Sequence, residues 1–241
     1  MVIKKTKLWP IIIFIALLSG LLWYLSRPFP VPDKMQYGVT FSKPFAEKLG
    51  FDWKKLYIAV LDDLGARKIR LSAYWDEIEV KEGIYDFSDL EWQIKEAEKR
   101  NAEIILAVGR KLPRWPECHE PTWLNNPPPT THYPQQNLEY EQQKLLKYIE
   151  ATVNHFKNYE SVKIWQVENE PFLPFGECPK FDKVFLKKEI ELVRAIDSSR
   201  PILLTDSGEF GRWLPAVKRA DVFGTTMYFQ VYNKVVGYFR Y

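Results

Sequence analysis

Six short apolar runs begin near residues 36, 68, 103, 162, 201 and 222, and each is followed by a segment patterned as a helix. The intervals fit βα units of about 30 residues, with one long insertion after the third run and one tight unit near the end. Strands that alternate with helices and never come in pairs predict a parallel sheet wrapped by helices. The run AEIILAVG (102–109) is almost continuously apolar, as a strand covered on both faces should be. Helix signals lie between the runs: Asp52 as an N-cap with Gly65 as a stop, Ser88 as an N-cap, the long NLEYEQQKLLKYIEATVNHF, the stretch FDKVFLKKEIELVRAI, and a short helix near Arg212 to Arg219. MQYGVTFS, RKIRLSAYW, VKIWQVEN, PILLTDS and DVFGTTMYF read as strands. An open doubly wound sheet and a (β/α)8 barrel both satisfy this pattern. No glycine-rich phosphate loop follows the first strand, which argues against nucleotide binding.

Charge placement bounds the partners. Lys4, Lys5, Lys7 and Arg27 precede the first acidic residue, Asp33, and the rest of the chain is close to neutral. A basic stripe of the kind nucleic acid requires is absent, so no nucleic-acid partner is expected. Residues 1–7 read as a basic cytoplasmic tail. Leu8 to Leu25 is an uncharged run of 18 residues, long enough at about 1.5 Å per residue to approach a bilayer core. The preceding lysines orient it as a transmembrane signal anchor with the rest of the chain outside the cytoplasm. Secretion after signal cleavage is the alternative. Residues 26–34, with three prolines, read as a linker, and 35–241 as the functional domain, expected to act as a monomer. Two cysteines and three histidines lack ligand spacing, so neither a metal nor a cofactor is expected.

The ends of the strand-like runs are polar and aromatic where turn residues would suffice. Arg70 and Trp75 close the second, Gly109 and Arg110 the third, and Asn169 and Glu170 the fourth. Asp206 and Glu209 follow the fifth, and Tyr228 ends the sixth. In parallel α/β barrels functional side chains gather at this end. Trp75, Trp115, Trp123 and Trp213 are candidate stacking platforms, with core packing as the other reading for each.

Asn169-Glu170-Pro171 after a strand bearing Trp165 resembles the fourth-strand signature of clan A glycoside hydrolases, which are retaining (β/α)8 enzymes. Arg70, Trp75 and the following EGIYDFSDLEWQI are similar to that group's second-strand arginine and its loop, and LPRWP (112–116) resembles its aromatic third loop. The resemblance runs from about Gln36 to Phe229 and selects the barrel over the open sheet. It implies cleavage of a β-linked oligo- or polysaccharide, with Glu170 as general acid/base, Asn169 on the sugar 2-hydroxyl, and Arg70 and Tyr228 beside the nucleophile. The retaining reaction needs two carboxyl groups about 5–5.5 Å apart, and the acid must hold its proton until the leaving oxygen takes it. The nucleophile is expected from a seventh strand. Residues 35–241 amount to 207, against about 250 for a whole barrel, so about six βα units are expected to be present. Glu168 and Glu209 are weaker nucleophile candidates. Strand alternation would turn Glu168 to the same face as Glu170, where it is expected to pair with Arg70 or bind substrate. Cys118 and Cys178 fall in the third and fourth loops, at one barrel face and in an oxidising compartment, and are expected to form a disulfide. A non-catalytic carbohydrate-binding barrel is the alternative function.

Overall fold

The computed structural model describes residues 8–27, 34–125, 134–208, 211–228, 230–233 and 237–240. The chain divides into two units, residues 1–36 and 37–241. The first is helix α1, Leu8–Leu25, whose side chains from Trp9 to Tyr24 are largely exposed. Among the described residues no helix is long and apolar enough to cross a membrane. The expected transmembrane span therefore corresponds to a helix but is not itself a structural finding.

The second unit is built on six parallel strands: β1 (Val39–Thr40), β2 (Lys68–Ser72), β3 (Glu103–Val108), β4 (Val162–Val167), β5 (Ile202–Asp206) and β6 (Val222–Thr225). Each pairs in parallel with its neighbour in sequence, giving the order β1-β2-β3-β4-β5-β6 in a curled half-barrel. A sheet that grows by one neighbour at each step in one direction is the winding of a (β/α) barrel, whereas a doubly wound sheet reverses. The expected eight-stranded barrel is thus incomplete among the described residues. Strands β7 (Gln230–Asn233) and β8 (Gly237–Arg240) form a separate antiparallel hairpin.

Alternation along the strands separates two environments. Ile69, Leu71, Ile104, Leu106, Trp165, Val167, Ile202 and Leu204 point outward into one core shared with the helices. That core includes Tyr57 and Leu61 of α3 (Trp53–Asp62), Ile94 of α5 (Ser88–Glu98), Tyr148 and Phe156 of α6 (Pro134–Phe156), and Leu186 and Val193 of α7 (Lys183–Ile196). The alternate positions carry Thr40, Arg70, Gln166 and Thr205, which form a hydrogen-bonded polar row.

Local signals mostly act as their chemistry dictates. Asp52 caps α3 by accepting from the amides of Lys54 and Lys55, and Asp182 caps α7 in the same way. Ser88 is not a cap: it is the first helical residue, and its amide donates to Asp86 Oδ1 at 2.9 Å. Helix α2 (Lys43–Lys48), capped by Ser42, lies within what reads as a plain connection. Strand β2 stops at Ser72, and a helical turn, α4 (Trp75–Ile78), takes the place of the expected strand end at Trp75. The expected short helix near Arg212 to Arg219 is the single turn α8 (Leu214–Val217).

Candidate active site

Strand β4 delivers its tip level with that of β3, through the pair Val108–Val167. The backbone then leaves the strand conformation, with φ +63° at Glu168 and +46° at Glu170. Left-handed conformations are costly for residues with a Cβ and gather at functional sites. Here they cancel the strand alternation and send the two glutamates in different directions.

Glu170 is buried. Its amide donates to Thr205 Oγ1 at 2.9 Å, and its carbonyl accepts from Lys111 Nζ at 3.1 Å. Asn169 beside it is fixed on three sides. Its amide N–H donates to the Lys111 carbonyl at 2.7 Å, its Nδ2 donates to Glu117 Oε2 at 3.4 Å, and its Oδ1 accepts from Gln166 Nε2 at 3.3 Å and Thr205 Oγ1 at 3.4 Å. Arg70 donates from Nε to Thr40 Oγ1 at 3.0 Å and from Nη1 to Gln166 Oε1 at 3.3 Å. Burial pulls the Arg70 guanidinium down, and the charges of Glu170, Tyr74 and Tyr228 push the other way, so these groups lie within electrostatic reach of one another. Tyr228 itself is exposed.

Lys111 and Glu117, which sequence reading overlooked, complete this cluster. Burial lowers the Lys111 ammonium, opposed by Glu117, Glu170, Glu168 and Asp206. Burial also raises the Glu117 carboxyl, opposed by Lys111 and by the Asn169 hydrogen bond. Lys111 Nζ grips two carbonyls at once, those of Glu170 and Leu173. In sequence both are ordinary charges in a Pro-rich loop. The one available hint is that they closely follow a buried strand.

Glu168 does not pair its carboxylate with Arg70, contrary to expectation, although its carbonyl accepts from Gln166 Nε2 at 3.1 Å. Its carboxylate accepts from the Arg110 amide at 2.7 Å and the Lys111 amide at 2.5 Å, beneath the β3 tip. Gly109, with φ +124°, permits this, since a Cβ there would lie 2.4 Å from Glu168 Oε1. Glu189 of α7 reaches the same spot, and both carboxyls are buried and pushed up, Glu189 well above the usual range. Burial and the mutual repulsion of the two carboxyls favour one shared proton, with the stronger upward pull on Glu189.

The tryptophans divide evenly. Trp75 is fully buried, stacks on Tyr148 at 5.5 Å and donates from Nε1 to Glu79 Oε2 at 2.6 Å. Trp123 packs edge-on against it and donates to the Glu79 carbonyl at 2.7 Å. Trp75 therefore belongs to the packing and not to a sugar platform, because the α4 turn carries it outward under α6, while Trp123 is half-buried against the same core. Trp115 and Trp213 remain exposed, at 57% and 44%. Trp213 is held by its Nε1 donating to the Ser207 carbonyl at 2.9 Å and by its amide donating to Asp206 Oδ2 at 3.1 Å. Asp206 is thereby a loop-bracing residue with no exposure. Glu209 lies outside the described residues.

Cys118 and Cys178 are joined as a disulfide with their Cα atoms 5.2 Å apart, tying the β3 loop to the β4 loop. Among the described residues no group of three or more His, Cys, Asp or Glu is placed to hold a metal ion.

Residues 50–238 match the family model described as glycosyl hydrolases family 2, TIM barrel domain. The β-galactosidase BgaA of Clostridium cellulovorans is 25% identical, over 64% of this chain and 25% of its own length. The solved β-galactosidase from Rahnella sp. R3 superposes with a TM-score of 0.61 at 11% identity, covering 87% of this chain and 42% of that one. Native xylanase 10B from Thermotoga maritima does so at 0.57 with 17% identity, covering 79% and 60%. At these identities the structural matches show a shared fold, and the chain spans a quarter of the length of its curated relative.

Proposed function

Because the chain belongs to the glycosyl hydrolases family 2 TIM-barrel family, we propose that it cleaves β-linked glycosidic bonds of an oligo- or polysaccharide by the retaining route. Glu170 is the proposed general acid/base. It gives its proton to the leaving oxygen in the first step and recovers one from water in the second. The observation that carries this reading is the double hold on the Asn169–Glu170 pair, by Thr205 from β5 and by Lys111 and Glu117 from the β3 loop. A strand end that merely turned the chain would not need three polar side chains from two other segments.

With one N–H of the Asn169 amide directed to Glu117, the second is the group proposed to meet the sugar 2-hydroxyl. Arg70 lies on the interior polar row, where it can stabilise negative charge at the reaction centre. The nucleophile is assigned to a glutamate on a seventh strand of the barrel sheet, whose six described strands end at β6. Glu168 is disfavoured for that role because its carboxylate is committed to the β3 loop amides and to Glu189.

In the full-length gene product, Glu170→Gln should lower kcat on aryl β-glycosides of poor leaving ability by about 10²–10⁴-fold, with much smaller losses on activated ones. Undiminished turnover of the poor substrates would remove Glu170 from the mechanism. A second reading, a carbohydrate-binding barrel without catalysis, is the alternative. Saturable glycan binding with no hydrolysis by the full-length product would establish it.

We also propose that α1 anchors the chain in a membrane, with the barrel outside the cytoplasm. An uncharged 18-residue helix following three lysines supports this.

A further inference from the structure

The β3 loop folds as a tight hairpin from Lys111 to Cys118, closed by an antiparallel bridge between those residues. Its turn places Arg114 at φ +93° and Glu117 at φ +75°, with the Glu117 amide donating to the Arg114 carbonyl at 2.7 Å. Trp115 stands at the tip, 57% exposed. The β4 loop lies directly against this hairpin. Gly176, at φ +92°, has no room for a side chain, because a Cβ there would come within 2.5 Å of the Glu117 Cβ. The Glu177 amide donates to the Pro116 carbonyl at 2.9 Å, and the disulfide closes the junction. This packing brings Phe175, 54% exposed, edge to face with Trp115 at 6.0 Å.

Two large rings fixed side by side in water, with such backing, are not explained by packing, since neither fills a core. Their support is also the support of Glu170. The base of the hairpin supplies Lys111, which holds the Glu170 carbonyl, and Glu117, which holds Asn169. The same Lys111 ammonium holds the Leu173 carbonyl at 2.7 Å, two residues before Phe175.

We infer that Trp115 and Phe175 form a stacking platform for the leaving-group sugar, so that the substrate is a glycan with at least one sugar unit beyond the cleaved bond. This rests on the assignment of Glu170 as the acid. An acid that protonates the glycosidic oxygen stands on the side from which the leaving group departs, and the platform is built into that same clamp. Aromatic faces suit the apolar C–H face of a β-linked sugar and add little ordering cost, because the rings are already fixed.

The test compares two substrates of the same sugar on the full-length enzyme, an oligosaccharide and the glycosyl fluoride, whose leaving group is too small to reach the platform. Trp115→Ala and Phe175→Ala should each lower kcat/KM for the oligosaccharide by about tenfold or more beyond any loss on the fluoride, and Trp115→Phe should restore part of it. Equal losses on both substrates, or none on either, would overturn the platform. Glu170→Gln run in parallel separates the two ideas. If it hydrolyses the oligosaccharide at the full rate, the acid assignment fails, and if it behaves as expected while the ring variants do not discriminate, only the platform fails.

Discussion

Glu189 shows how one buried proton can mark a pH dependence. Burial, reinforced by the charge of Glu168, holds its carboxyl well above the ordinary glutamate value of 4.5. The native chain therefore keeps a proton that the unfolded chain releases. The stability this provides is full below about pH 4.5 and declines as pH rises toward the raised value, by at most about 1.4 kcal/mol per pH unit. Glu189→Gln supplies an amide N–H to Glu168 with no proton to lose. Its melting temperature relative to wild type should climb from pH 5 to pH 8 in thermal denaturation, whereas a constant difference would show that no proton is shared. Sequence alone could not reach this pair. The motif Asn169-Glu170-Pro171 was legible because its chemistry is local, but the direction of Glu168 depends on two left-handed residues that period-two reasoning does not admit. Lys111 and Glu117 were hidden for another reason: burial, not residue type, sets them apart.

At the scale of elements, the strand starts were readable to within about three residues, since a parallel strand covered on both faces leaves little but apolar residues to write it with. The second strand was read too long at its far end. Ala73, Tyr74 and Trp75 suit a strand as well as they suit a helical turn, and the contact with Tyr148 of α6, which decides the matter, is distant in sequence. The disulfide is the element-scale link between the third and fourth loops, closing a separation of 60 residues. On the chain-entropy estimate a loop of that size contributes roughly 4 kcal/mol. Replacing both cysteines by serine should lower the denaturant midpoint accordingly. An unchanged midpoint would mean that hairpin packing alone holds the two loops together.

For the molecule as a whole, the one-way order of six parallel strands and the match over residues 50–238 agree on barrel ancestry. Neither bears on the N-terminal helix, whose proposed role is open to direct test. The native chain should stay with the membrane fraction through an alkaline carbonate wash, and deletion of residues 1–34 should release it. Recovery of the intact chain in the carbonate supernatant would dismiss the anchor. The sequence suggested that helix through an uncharged apolar run, a signal that needs no tertiary partner and so survives in sequence alone.

The left-handed backbone at Glu168 and Glu170 also sets stability against chemistry. A glycine at either position would relieve about 1–2 kcal/mol of conformational strain. At Glu170 it would also remove a buried carboxyl, whereas at Glu168 it would leave the Arg110 and Lys111 amides without their acceptor. Folding thermodynamics alone would therefore favour glycine over Glu170 at the β4 tip, so that glutamate stands there against the pull of stability.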